Sequence, residues 1–450
     1  IPKRDWSSDV CSSDLVVVSD GGDTGREDAA TAFDGAVTPV YTIGVGNPAI
    51  AGDTEVAGLS AGELPLADSS IDLTVTTASH GAEGFDIRVL ENGNPIDVRH
   101  MAPTRGGAPT RSLFTVAPPP AAATLYTVEI PPVDGEAVVE NNRRSILVEG
   151  PGRRRRVLMI EGAPGFEHTF VKRALAADEG LEVDSVVRKG RDAQGRATYI
   201  VQAPSDRGPQ LSSGFPANRR ALFGYDALVL ANIENDMLSR EQLDMAAAFV
   251  NERGGGLLVL GAKSFGGGGL SGSAVEDVLP LGVTDRSSGV ARASNEEGKP
   301  FRVAVTAEGR SHPVMRLDGP SEAVDQRWTS VPALAGAAML GEPRPGARIL
   351  AVVHTPRTAD GTIPLVAVQR YGRGRSMVFT GEASWRWRMH LPATDRTFEL
   401  FWRQAARWLA TGAPDPVSLT LPPQALPGDA GEVAVDVRDG AFNAIVDAQV

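Results

Sequence analysis

The chain has 450 residues, too many for a single core, so roughly two to four domains are expected. Its net charge of −12 argues against a nucleic-acid-binding surface as the main role, and its apolar content of 42% is ordinary for a globular protein. Glycine (50) and proline (32) are both abundant, which suits many short strands and turns. No apolar run reaches the length of a membrane span, and no signal peptide is visible. A single cysteine, Cys11, excludes a disulfide framework and a thiolate zinc site.

Arg4 to Leu15 reads Arg-Asp-Trp-Ser-Ser-Asp-Val-Cys-Ser-Ser-Asp-Leu. This string resembles the in-frame translation of a common sequencing-adapter oligonucleotide. The resemblance implies a fragment assembled from environmental DNA whose true amino terminus is missing. Residues 1–15 are then expected to be disordered and to pack against nothing. Cys11 is set aside with them. At the other end, Ala448-Gln449-Val450 stops inside what reads as a strand, so a second cut is expected there.

Residues 16–50 read strand, helix, strand. Leu15 to Ser19 is a short buried-strand run, Glu27 to Phe33 a weak helix and Val40 to Gly46 a second strand. Ser19-Asp20-Gly21 and the run Val40-Tyr-Thr-Ile-Gly-Val-Gly46 resemble the last third of a von Willebrand factor type A domain. In intact domains of that family the aspartate at the position of Asp20 helps to hold a divalent cation. The partner ligands, an Asp-x-Ser-x-Ser loop, are absent from this sequence, so Asp20 is read as a vestigial metal site and no cofactor is expected.

Residues 51–150 alternate apolar and polar residues between turn signals, as half-buried strands do. Ile71–Thr76, Phe85–Leu90 and Leu125–Ile130 are the clearest, and Asn92-Gly93 is a strong hairpin turn. Gly135-Glu136, Glu140-Asn141-Asn142 and Ser145–Val148 resemble the final hairpin of bacterial immunoglobulin-like adhesion-type domains, which implies a β-sandwich.

Residues 151–413 change to strands alternating with helices, the pattern of a parallel α/β sheet. The expected strands are Val157–Ile160, Ala227–Ala231, Gly256–Leu260 and Arg375–Thr380. The expected helices are Glu167–Asp178, Ser239–Arg253 and Thr394–Leu409, with Ser239 and Gln242 as a capping box. Arg153 to Arg156 reads as a solvated linker. Residues 414–450 return to alternation and read as the truncated start of a second sandwich.

Ligands of an open parallel sheet bind beyond the carboxyl ends of its strands. The polar residues there are Glu161; Asn232 and Glu234; Lys263 and Ser264; and Glu382, Trp385 and Arg386. These are expected to line one crevice. Val157–Gly162, Tyr225–Leu230, Gly254–Gly261 with Ser264–Leu270, and Gly372–Gly381 followed by Phe401-Trp402 and Arg407–Leu409 are similar to the class I glutamine amidotransferase-like domain. More closely, they resemble the version found in bacterial von Willebrand factor type A domain-containing envelope and membrane proteins. The resemblance implies a flavodoxin-like parallel sheet for residues 151–413, flanked by immunoglobulin-like sandwiches and the type A fragment. It also implies a place on the extracytoplasmic face of a bacterial membrane, reached through segments missing here, and protein partners in the envelope.

Active members of that family carry a cysteine nucleophile after the strand matching Leu257–Leu260 and a histidine after the strand matching Ser376–Thr380. Here the turns read Gly261-Ala-Lys-Ser-Phe265 and Gly381-Glu-Ala-Ser-Trp-Arg386. No catalytic residue is therefore expected, and the chain reads as a non-catalytic scaffold or interaction region. The alternative is a hydrolase using Ser264, or the glutamates Glu161, Glu234 and Glu382, with His168 the histidine nearest the crevice. Against it, Ser264 reads rather as a backbone brace in a glycine-rich loop, and each glutamate rather as solvated or paired with a nearby arginine. Gly266 to Gly269 lacks the Lys-Ser/Thr of a phosphate-binding loop. Trp385, Trp387, Trp402 and Trp408 are expected in the core.

Overall fold

Alternating strands in the first part of the chain and continuous apolar strands in the rest build two units of different design. The structure, a computed structural model, describes all residues except 1–14, 20–39, 46–51, 63–70, 81–83, 103, 105–106, 120–122, 133–135, 137, 149–152, 235, 267–268, 284–289, 293–300, 318–323, 356–360, 421–432 and 449–450. The expectations for residues 1–14, for the weak helix at 27–33 and for Asp20 fall outside the described residues.

The first unit holds β1 (Leu15–Ser19), β2 (Val40–Gly44), β3 (Thr54–Ala61), β4 (Ile71–Ser79), β5 (Phe85–Glu91), β6 (Asn94–Met101), β7 (Thr110–Val116), β8 (Thr124–Glu129) and β9 (Arg143–Val148). β1 and β2 pair in parallel. The others form two antiparallel sheets, β3-β4-β7 and β6-β5-β8-β9. Their inner faces share one core, with Leu73, Val75 and Phe114 from one sheet against Ile87, Val89 and Val128 from the other. This is a β-sandwich. Asn92 and Gly93 both take positive φ, +49° and +88°, as a tight hairpin turn requires. The acidic and amide residues before β9 close one end. Asp53 accepts from the Val138 N–H and the Asn141 amide, while Glu136 accepts from the Thr54 N–H and the Asn142 amide.

The second unit begins with β10 (Arg155–Glu161), β11 (Leu181–Arg191), β12 (Ala197–Gln202), β13 (Ala227–Ala231) and β14 (Gly256–Leu260). It continues through β15 (Val290–Arg292), β16 (Val303–Val305), β17 (Gly336–Ala338), β18 (Arg348–His354), β19 (Thr362–Tyr371), β20 (Gly374–Phe379) and β21 (Gly381–Glu382), and ends with β22 (Val417–Thr420) and β23 (Ala434–Val437). Nine of these make one sheet in the order β12-β11-β10-β13-β14-β20-β19-β18-β16. β15, β17 and β21 form a small separate sheet, and β22 and β23 an antiparallel pair.

This overturns the expectation of a flavodoxin-like parallel fold. Only β11, β10, β13, β14 and β20 run parallel; β12 on one flank and β19, β18 and β16 on the other are antiparallel. The sheet is mixed, and strand dominates over helix. The longest described helix, Thr397–Thr411, has 15 residues, and those of Arg240–Asn251 and Phe166–Ala176 have 12 and 11. The reason lies between β14 and β20. Instead of one helical crossover, the chain lays down β16, β18 and β19, and returns to β20 by a tight hairpin at Gly372, φ +54°. Two cores lie on the faces of the sheet. One joins Met159, Val229 and Leu258 to Phe401, Trp402 and Trp328, and the other joins Ile160, Leu230 and Val259 to Phe249.

The arginines at 153–156 are not a solvated linker. Asp226 is fully buried and accepts both terminal guanidinium nitrogens of Arg153 at 2.7 and 2.6 Å, with Arg253 at 3.1 Å and the Arg156 N–H at 2.9 Å. Arg155 meets Asp415 at 2.9 Å. A carboxylate without water must be paired and hydrogen-bonded to stay charged, and this cluster does both.

Candidate functional site

β10, β13, β14 and β20 are consecutive and parallel, so their carboxyl ends share one edge. Their registers align Glu161, Ala231, Leu260 and Phe379 in a row. The residues just beyond this row are locked together. The Gly162 N–H donates to the Ala231 carbonyl at 3.0 Å and the Asn232 N–H to the Leu260 carbonyl at 3.1 Å. A Cβ on Gly162 would stand 2.0 Å from the Asn232 carbonyl oxygen, so only glycine fits. Asn232 and Ala383 have φ of +50° and +65°, a left-handed backbone that costs an alanine about 1 kcal/mol or more.

Ser264 lies in a helical turn, Ala262–Phe265, directly after β14 and is fully buried. Its hydroxyl donates to the Leu260 carbonyl at 3.0 Å and accepts the Ile233 N–H at 2.9 Å. The hydroxyl braces the ends of β13 and β14, and among the described residues both of its hydrogen bonds are to backbone. Glu234 pairs with Arg188 at 2.9 Å and with Lys263 at 3.1 Å. Arg188 also bonds Asp236 at 2.7 Å and the Gly162 carbonyl at 3.1 Å. Among the residues named from sequence, then, Glu234 and Lys263 are brought together as an ion pair on the rim.

Glu161 is different. It is 1% exposed, and among the described residues no hydrogen bond of good geometry reaches either carboxylate oxygen. His168, also buried, places Nδ1 3.4 Å from Glu161 Oε2, while its Nε2 bonds Ser185 Oγ at 2.9 Å. Burial pushes the Glu161 carboxyl up to about 8; Asn232 opposes this and Glu167 adds to it. Burial lowers His168 to about 4, with Lys172 contributing. Near neutral pH the two therefore meet as a carboxylic acid and a neutral imidazole.

Glu167 precedes His168 on the helix Phe166–Ala176 and bonds the Ser384 hydroxyl. Burial raises it to about 7; Ser384 and Trp385 counteract this, and Glu382 adds to it. Ser384 is itself buried and accepts the Trp402 indole N–H at 3.2 Å. Glu382, partly exposed, belongs to β21. Trp385 opens the helix Trp385–His390, and its ring lies 5.3 Å from Phe166 and 6.2 Å from Phe170, with the Arg386 guanidinium 5.9 Å away. Phe166 is 68% exposed. Trp387, Trp402 and Trp408 are buried, whereas Trp385 is only partly so.

Sequence reasoning missed Glu167, Ser185, Ser384 and Phe166. Phe166 and Glu167 open the first turn of a helix that follows a strand end, a position that could have flagged them. The contact of Glu167 with Ser384 spans 217 residues of sequence and left no local signal. Among the described residues no group of three or more His, Cys, Asp and Glu side chains is placed to hold a metal ion.

No family model and no curated protein matches this chain. Among solved structures it is similar to the cytoplasmic protein STM1381 from Salmonella typhimurium LT2, at 18% identity and a TM-score of 0.38, over 57% of this chain and 99% of that one. It is similar to the CARDB domain of the PF1109 protein from Pyrococcus furiosus, at 16% identity and a TM-score of 0.19, over 22% and 88% of the two chains. A domain of a putative cell surface protein from Methanosarcina acetivorans gives 19% identity and a TM-score of 0.20, over 22% and 92%. These TM-scores are too low to define a shared fold.

Proposed function

We propose that this chain is a non-catalytic interaction region of a bacterial cell-envelope protein, carried on the extracytoplasmic face and binding protein partners there. The observation that carries this reading is the character of the carboxyl edge. The Ser264 hydroxyl is spent on backbone, Glu234 is neutralised by two cations and Glu161 is shut away with His168. What the same edge turns outward is Phe166, seated against Trp385. Aromatic side chains with arginine beside them are characteristic of protein interfaces. The envelope setting and the von Willebrand type A likeness of β1 and β2 rest on the sequence resemblance. No described helix is long and apolar enough to cross a membrane, which leaves strand-built spans untouched.

A second reading has one observation in its favour. Glu161 and Glu167 are raised towards neutrality, as a general acid would be, and stand near His168. The near-complete burial of Glu161 keeps substrate away from it.

The test is to incubate the whole chain with glutamine and with simple ester and amide substrates, alongside Ser264→Ala and Glu161→Gln. No turnover is expected from any of the three. Turnover lost in either variant, with the variant still melting cooperatively from a folded state, would replace the interaction reading with the hydrolase.

A further inference from the structure

Next to the aromatic edge, a cleft of about 510 Å3 opens between the helices Phe166–Ala176, Trp385–His390 and Thr397–Thr411. Its floor is apolar, made by Phe170, Ala174, Leu391 and Phe398, with the Phe170 and Phe398 rings edge to face at 6.3 Å. Its walls carry Arg173, Arg388, Arg396 and Arg403 against one carboxylate, Glu399.

The charges do not balance. Glu399 is shared by Arg388 at 2.8 Å and Arg396 at 3.9 Å. Arg403 donates to the Ala174 carbonyl at 3.0 Å, and Arg173 lies 5.8 Å from the Phe170 ring. Neither Arg173 nor Arg403 has an acidic partner among the described residues. The cleft therefore carries a net excess of guanidinium groups although the chain as a whole is acidic. Phe170 links the cleft to the edge, because its ring also faces Trp385, which in turn faces Phe166. Aromatic surface thus runs from the exposed rim to the apolar floor between the arginines, and Met389, 59% exposed, stands on the same lining.

We infer that this cleft receives an acidic peptide segment with an aromatic or aliphatic anchor. The inference rests on the interaction reading and names the chemistry of its partner. The anchor packs on Phe170 and Leu391, and flanking carboxylates meet Arg173, Arg396 and Arg403, whose planar guanidinium forks match carboxylate geometry. The volume is that of a binding pocket for a few side chains.

The experiment uses the full chain and fluorescence anisotropy. The probe is a fluorescein-labelled ten-residue peptide of glutamates carrying a central phenylalanine and leucine. Its comparisons are the same peptide with lysine for glutamate, the same with serine for both apolar residues, and an oligothymidylate of equal charge. Saturable binding of the first peptide is expected, weakened by added salt, with little binding of the others. Arg173→Glu, at an exposed position, should weaken it about tenfold or more, and Arg173→Gln less, both with unchanged melting temperature. Absent binding, equal binding of the lysine peptide, tighter binding of the oligothymidylate, or indifference to both Arg173 variants each overturns the assignment. Such a failure without hydrolytic turnover removes the cleft and leaves the interaction reading standing. Turnover lost in Glu161→Gln removes the reading itself.

Discussion

At Glu161 burial acts on two neighbours in opposite directions, and the consequence is measurable. The folded chain holds the Glu161 proton up to about 8, whereas the ordinary value is 4.5. Between those values the folded state binds the extra proton, so stability falls as pH rises. Glu167 acts the same way up to about 7. His168 and His312 are both lowered from 6.5 to about 4, chiefly by burial. Their contribution is present above 6.5 and is lost as pH falls through that window. From roughly pH 4.5 to 6.5 the glutamates and histidines offset one another; above it the glutamates act alone. The melting temperature should therefore be nearly level between about pH 4.5 and 6.5 and decline towards pH 8. Glu161→Gln should remove much of that decline, whose slope from one such group is at most about 1.4 kcal/mol per pH unit. Thermal melts across this range decide it, and an undiminished decline in the variant would place its cause outside Glu161.

Local sequence chemistry specifies some elements outright. The helix Arg240–Asn251 starts where Ser239 accepts the Gln242 N–H at 3.2 Å and Gln242 Oε1 accepts the Ser239 N–H at 2.9 Å. Ser239→Ala removes the first bond and should lower stability by about 1 kcal/mol, measured by urea unfolding; no loss would mean that water caps this end as well as serine does. β13 and β14 were legible for a related reason. Both are continuous apolar runs buried at every residue, as strands covered on two faces must be. The antiparallel flank was not legible. β19 contains Pro364, a residue that argues against a sheet strand, and the structure accommodates it at a shift in register against β18 between Ala351 and Val352. At the candidate site, Glu161, Asn232 and Ser264 could be placed because they end strands. The bracing role of Ser264 was readable from its glycine-rich loop, though not its partners Leu260 and Ile233; the role of Glu161 was not, because burial beside His168 is a tertiary fact.

For the molecule as a whole, the alternating pattern after residue 414 suggested a domain boundary, yet the second unit runs on through it. Asp415 pairs with Arg153 at 2.8 Å and Arg155 at 2.9 Å, and the Pro414 carbonyl accepts Arg253 at 2.9 Å. Phe442, 9% exposed, lays its ring 3.9 Å from the Arg253 guanidinium. Burial already lowers Arg253 to about 10, so this charge depends on every partner that remains. A chain cut after Ala413 would lose the Pro414 carbonyl, Asp415 and Phe442 together while Arg153, Arg155 and Arg253 stayed in place. Arg253 keeps Asp226, but the hydrogen bonds of Arg253 to Pro414 and of Arg155 to Asp415 are lost together, at about 1.5–3 kcal/mol for each bond to a charged group. Residues 151–450, which hold both cores of the second unit, should fold alone with one cooperative melt. Residues 151–413 should melt about 10 °C lower, since each kcal/mol moves the melting point of a domain this size by about 2–4 °C. Equal melting temperatures for the two would show that the segment after Ala413 only rests on a unit already complete without it. A failure of 151–450 to fold would show that the second unit needs the sandwich.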